Sequence, residues 1–177
     1  MTTAAIRRAT AEVLGTGRFI RRGRLRPGQA EAIEAVLKRD TLAVLASGTG
    51  KTLVYHVAAK LLPGPTLVIS PTIALQHDQL RALEAGGAGA ALLNGQLTVR
   101  ERRAALADFT AGRIEFLLLA PEQLANDDLV AELRTAGISL VVVDEAHCTS
   151  DWVMIFAPTT SPWRQPSGRS AGPACWP

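Results

Sequence analysis

Cysteine is almost absent from this sequence: Cys148 and Cys175 stand alone, with neither the paired spacing of a zinc site nor enough thiols for a disulfide framework. Both are expected to be free thiols. Aromatic residues are scarce at 5%, so a core must be built from Leu, Val, Ile and Ala. Long hydrophobic runs are missing too. "LVVV" and "FLLLA" are far shorter than a membrane span, and the opening "MTTAAIRRAT" has no apolar stretch of the kind a secretory signal needs. These absences predict a chain without a membrane partner, working in the cytoplasm, as in a bacterial cytoplasm or nucleoid.

What is present is globular. A hydrophobic share of 47% with 20% charged residues suits one domain of ordinary size in a chain of 177 residues. The net charge of +3 is mild, but Arg7, Arg8, Arg18, Arg21, Arg22, Arg24 and Arg26 crowd the first part of the chain. That cluster fits phosphate-bearing partners or a plain solvated face, and charge alone does not separate the two.

From Thr41 onward short apolar runs alternate with helix-length amphipathic stretches. "TLAVLA", "TLVIS", "AALL", "IEFLLLA" and "ISLVVV" read as strands, with helices between them at about 51–61, 73–85, 98–112 and 122–135. Strands apolar on both faces and separated by helices imply an α/β fold with a parallel sheet flanked by helices. Two further helices are expected near 3–14 and 28–38, the second entered through Pro27 and Gly28. The pattern ends after Trp152. Pro158, Pro162, Pro166, Pro173 and Pro177 are half of the 10 prolines, and no period of strand or helix survives among them. The expected division is therefore 1–40, a helical region; 41–152, a nucleotide-binding α/β region; and 153–177, a disordered tail.

The stretch "LASGTGKT", Leu45 to Thr52, follows an apolar run and opens a helix, the setting of a phosphate loop. Gly48 and Gly50 allow a tight turn whose backbone amides face phosphates with the helix dipole behind them. Ser47, Thr49 and these glycines form the candidate cradle. Lys51 carries positive charge to the β- and γ-phosphates, and the Thr52 hydroxyl is a hard ligand for Mg²⁺. Downstream, "LVVVDEAH" places Asp144 and Glu145 at the C-terminal end of a buried strand, where open α/β sheets bind ligands. Asp144 would hold Mg²⁺, Glu145 would orient and deprotonate the attacking water, and His147 would report hydrolysis to a neighbouring element. ATP and Mg²⁺ are the implied cofactors, and Glu145, Asp144 and Lys51 the catalytic candidates.

These motifs resemble those of superfamily-two helicases, and in detail the RecQ family of ATP-dependent DNA helicases. "LRPGQ" resembles that family's nucleotide-reading motif, which implies Gln29 on adenine with Arg26 beside it. "VISPTIALQHDQL" is similar to its "SPLIALMxDQ" motif on the DNA backbone, which implies Ser70, Thr72 and Gln76 at single-stranded or junction DNA; capping of the following helix is the other reading of Ser70 and Thr72. "LAPEQL" is similar to "TPERL", and "DEAHCTSDW" to "DEAHCISQW", which adds Trp152 to His147 as coupling residues. Leu45 stands where the general phosphate loop has its first glycine, and Phe19 lies further from Arg26 than the family's adenine-stacking aromatic. Arg100, Arg102 and Arg103 are read as solvent charge.

The resemblance covers about residues 10–152 and implies a RecA-like, P-loop NTPase lobe acting in 3′-to-5′ DNA unwinding, with roles in repair and recombination. It also implies two gaps. Turnover needs a second RecA-like lobe carrying an arginine finger, and that lobe is absent from this sequence. Within the first lobe, the strand after the acid motif normally inserts between the phosphate-loop strand and the acid-motif strand, and nothing after Trp152 resembles it. The sheet is thus expected to be incomplete at its C-terminal end. The family continues past the tryptophan with "GHDFRPxY", whereas this chain has "VMIFAPTT". Restoring one G after the Trp152 codon makes the codons of Val153 onward force Gly, permit His, force Asp, and permit Phe, Arg, Pro and Tyr in turn. We therefore expect residues 153–177 to be frameshifted text. Sequencing the gene across the Trp152 codon checks this, and a second frame that encodes no helicase continuation would sink it. Three functions follow: a DNA helicase, a nucleotide- and nucleic-acid-binding half-lobe without turnover, or another superfamily-two motor acting on RNA or chromatin.

Overall fold

A computed structural model describes residues 3–16, 25–45 and 49–145. The elements in chain order are α1 (Thr3–Thr16), α2 (Gln29–Val36), α3 (Lys51–Lys60), β1 (Thr66–Ile69), α4 (Ile73–Ala85), β2 (Ala90–Leu93), α5 (Val99–Thr110), β3 (Phe116–Leu119), a 3-10 turn (Pro121–Ala125), α6 (Asp127–Thr135) and β4 (Leu140–Val143).

The strands form one parallel sheet in the order β2-β3-β1-β4. Each of β1 and β3 is buried along its whole length, as expected for central strands of Val, Ile and Leu. Alternation along the strands divides the core between two faces. Leu67, Ile69, Leu117 and Leu119 pack with Leu106, Phe109, Leu129 and Leu133 of α5 and α6. On the other face, Val68, Phe116 and Leu118 pack with Tyr55 and Ala58 of α3 and Leu83 of α4. A third cluster joins the N-terminal helices to this layer: Ile6, Ala9, Val13 and Leu14 of α1 and Ala32 and Ile33 of α2 meet Leu53, Val54 and Val57 of α3.

Local chemistry sets the helix starts. Thr98 and Glu101 form a reciprocal capping box at α5, with Glu101 N donating to Thr98 Oγ1 at 3.3 Å and Thr98 N donating to Glu101 Oε2 at 2.8 Å. The helix expected over 122–135 is divided. Pro121 opens a 3-10 turn, and Asn126 then caps α6 by accepting from Leu129 N at 3.1 Å.

One expected strand is not formed. Within "TLAVLA", residues 41–45 have no strand pairing, and Leu42 and Val44 are 84% and 86% exposed. The reason lies across the sheet: β4 is the last strand in the order, and its second edge pairs with no strand among the described residues. An apolar run becomes a strand only where a neighbour takes its hydrogen bonds. Val141, Val142 and Val143 of β4 are accordingly half-buried, unlike their paired counterparts in β1. Among the described residues no helix is long and apolar enough to cross a membrane.

Candidate nucleotide-binding site

Thr49 and Gly50, the start of α3 and the end of β4 converge at the C-terminal edge of the sheet. Gly50, the N-cap of α3, has φ 84°, a left-handed turn that glycine adopts without strain, so α3 begins at Lys51. The N-terminal amides of α3 therefore face away from the helix body, as an anion site requires.

Gln29 holds this turn from behind. Its side chain is 2% exposed; Oε1 accepts from Arg26 N at 2.7 Å, and Nε2 donates to Thr49 O at 2.8 Å and Gly50 O at 3.2 Å. The space is tight, since a Cβ on Gly50 would stand 3.1 Å from Gln29 Nε2. The residue implied for adenine is thus committed to the backbone of the loop that would hold the phosphates.

The acid motif arrives from β4. Asp144 N continues the ladder by donating to Ile69 O at 2.9 Å, and Asp144 Oδ1 accepts from Glu145 N at 3.0 Å. Asp144 Oδ2 accepts from Gln79 Nε2 of α4. Glu145 has φ 51°, the one non-glycine residue with positive φ among the described residues. This left-handed conformation costs on the order of 1 kcal/mol or more in a non-glycine residue. With this backbone Glu145 Oε1 stands 3.2 Å from Lys51 Nζ. The two charged groups that the sequence pattern places 94 positions apart therefore meet.

The oxygens around Asp144 suit a hard cation. Among the described residues no group of three or more His, Cys, Asp and Glu side chains could hold a metal by itself. Mg²⁺ typically takes one or two protein oxygens and completes its shell with phosphates and water, so it needs no such group. Among the described residues five buried side-chain polar atoms have no hydrogen-bond partner, Tyr55 OH, His56 Nε2, Thr66 Oγ1, Ser70 Oγ and Gln79 Oε1, and Gln79 is the one of these residues that touches Asp144. Tyr55 lies close to the Thr52 side chain and feels the Asp144 charge, though its hydroxyl completes no hydrogen bond of good geometry. Burial pushes the Tyr55 phenol well above its ordinary range, opposed by Thr52 and reinforced by Asp144, so it is a neutral donor at every physiological pH. Thr52 and Asp144 are the oxygen donors that would hold the ion.

The third group lies on α4. Thr72 is exposed and caps the helix, with Leu75 N donating to Thr72 Oγ1 at 3.3 Å. Ser70 and Gln76 are fully buried, which departs from their expected role on a nucleic-acid surface. Gln76 Nε2 donates to Ser70 O at 2.8 Å and Gln76 Oε1 accepts from Asn94 Nδ2 at 3.4 Å, so both ends of this amide brace the fold. Side chains without exposure meet no strand; what they contribute to an interface is the backbone they hold. Arg100 and Arg103 are exposed as expected, while Arg102 donates from Nη2 to Gln123 Oε1 at 2.6 Å and ties α5 to the 3-10 turn. Ser47, Gly48, His147 and Trp152 lie outside the described residues, as do the boundary at 152 and residues 153–177.

Sequence reasoning missed Gln79, which touches Asp144, and Asn94. The signal was there: Gln76, Gln79 and Leu83 fall on one helical face, and two of the three are polar where an apolar stripe belongs.

Known proteins resemble this chain over most of its length. The family model of DEAD/DEAH box helicases matches residues 26–161. A probable ATP-dependent DNA helicase RecS of Bacillus subtilis is 40% identical over 136 residues, which is 76% of this chain and 27% of that protein. An ATP-dependent DNA helicase RecQ of Haemophilus influenzae is 36% identical over 134 residues, 75% of this chain and 22% of its own length. The chain thus spans about a quarter of these relatives. A hypothetical ATP-dependent RNA helicase of Sulfolobus tokodaii superimposes with a TM-score of 0.64 at 17% identity, over 84% of this chain and 43% of its own, which shows the shared RecA-like fold.

Proposed function

Because this chain belongs to the DEAD/DEAH box helicase family, we propose that it forms the ATP-binding lobe of an ATP-dependent 3′-to-5′ DNA helicase of RecQ type. The observation that carries the reading is the meeting of Lys51 and Glu145 at 3.2 Å, beside Thr52 and Asp144, at the sheet edge where phosphates would enter. The names of its relatives supply the substrate class: one is a probable ATP-dependent DNA helicase and the other an ATP-dependent DNA helicase.

In this reading Lys51 leaves Glu145 for the β- and γ-phosphates, freeing the carboxylate to orient water and accept its proton. Arg26 stands at the adenine end of the site, and Gln29 braces the loop between that end and the phosphates. Mg²⁺, bound through Thr52 and Asp144, would supply neutralisation of phosphate charge. Thr72 and the backbone braced by Gln76 meet single-stranded or junction DNA through its phosphates, without reading bases. His147 and Trp152 carry the signal between the sites. The arginine finger comes from a second RecA-like lobe, a partner outside these residues.

A second reading has its own support. With 41–45 unpaired and the far edge of β4 open among the described residues, this polypeptide alone is a binding half-lobe without useful turnover. A purified sample separates the two. The half-lobe reading expects ATP and single-stranded DNA to bind without hydrolysis, the DNA affinity falling with a log–log salt slope of about −0.7 per phosphate contacted. DNA-stimulated hydrolysis by this chain alone overturns it, and stimulation by RNA but not DNA overturns the DNA assignment.

A further inference from the structure

We propose that Gln79 is a positioning residue for the magnesium site, its buried amide holding the Asp144 carboxylate in place from helix α4. The proposal rests on the reading of Asp144 as a Mg²⁺ ligand and adds to it a residue from another element.

Gln79 is 4% exposed, and Nε2 donates to Asp144 Oδ2. The opposite carboxylate oxygen is held by Glu145 N at 3.0 Å, so both oxygens of Asp144 are oriented before any ion arrives. The amide cannot be turned over without setting its carbonyl oxygen against a carboxylate, which fixes the assignment of nitrogen and oxygen. Gln76, one turn earlier on the same helix, is the internal comparison. Both ends of its amide have protein partners, as a structural brace should. Among the described residues Gln79 has one partner, the acid, and its Oε1 is buried with none. That unmet acceptor carries a cost, and a hydrated cation beside Asp144 would bring water donors to satisfy it. Residues that orient a metal ligand govern affinity nearly as strongly as the ligands themselves. Because α4 also presents Thr72 at its N-cap, Gln79 ties the metal carboxylate to the helix expected at the nucleic acid.

The test titrates a fluorescent ATP analogue into the 177-residue chain over a range of Mg²⁺ concentrations and in excess EDTA. Gln79→Met keeps the length and burial of the side chain and removes the donor. It is expected to raise the Mg²⁺ concentration giving half of the full enhancement by about 10- to 100-fold, with the affinity in EDTA changed less than about twofold. Gln79→Asn withdraws the amide by one methylene and is expected to do the same, which covers a loss of folding by the methionine variant. In an Asp144→Asn background neither change should add to the effect, since both act through that carboxylate. A shift with Asp144→Asn but none with Gln79→Met or Gln79→Asn overturns the proposal alone, as does an equal loss of affinity in EDTA. No shift with Asp144→Asn overturns the metal assignment and the proposal with it.

Discussion

Replacing Lys51 by alanine is expected to weaken ATP binding by about two to three orders of magnitude while leaving the fold intact. The size follows from charge-assisted contacts to a polyanion in a partly enclosed site, where removing one partner costs about 3–4 kcal/mol. The selectivity follows from geometry. Lys51 and Glu145 are 3.2 Å apart, with side chains 34% and 30% exposed, so water screens the pair and its loss costs about 1 kcal/mol of stability or less. Phosphates carry more charge than one carboxylate and would be met by the amides at the start of α3 as well, so they are expected to outcompete Glu145 for the lysine. Lys51→Arg keeps the charge but exchanges a compact ammonium for a planar fork, and should fall between wild type and alanine. Calorimetric titration with Mg·ATP, beside a urea melt of each variant, checks both halves. Binding within about threefold of wild type would remove Lys51 from the site.

The contact between Lys51 and Glu145 shows what was legible in the sequence and what was not. Each residue was assigned from its own motif, because strand, loop and helix succeed one another along the chain with a readable period. The distance between them depends on sheet order, β4 lying beside β1, and no local pattern states that. The four paired strands were all visible as apolar runs. The run at 41–45 has the same composition and remains unpaired, because strand formation is a property of two segments and not of one. The left-handed backbone of Glu145 has no compositional sign at all. Gln29 was found by resemblance and proved to clasp the loop carbonyls. Gln79 stood inside a quoted motif but was passed over, since a polar residue on a helix reads as solvent-facing until its burial is known.

Acid should unfold this protein earlier than its carboxylates require, because of His56. The imidazole is 1% exposed on the buried face of α3, set edge-on to Phe116 with ring centres 5.4 Å apart and planes at 82°. On its other side the Gly86 backbone comes so close that a Cβ there would overlap the ring. Burial is the main reason its pKa falls from 6.5 to about 4; the Lys60 charge lowers it further and Glu115 opposes both. Its Nε2 has no partner among the described residues, so that nitrogen offers the charged form no compensating hydrogen bond. The unfolded chain binds the proton near pH 6.5 and the folded chain only near pH 4, so stability is fully present above 6.5 and declines as the pH falls between those values. The loss over that window is about 3 kcal/mol, a large part of what a domain of this size has in reserve. Glu101 is also held below its ordinary value, first by the Thr98 side chain and then by the Thr98 backbone, and its contribution is lost only as the pH falls further. The windows are therefore separable. Urea midpoints measured from pH 7 to pH 4 should fall steadily in the wild type, and His56→Leu should remove most of the fall above pH 4.5. A His56→Leu profile parallel to that of the wild type would mean that the imidazole takes up its proton in the folded state at an ordinary pH.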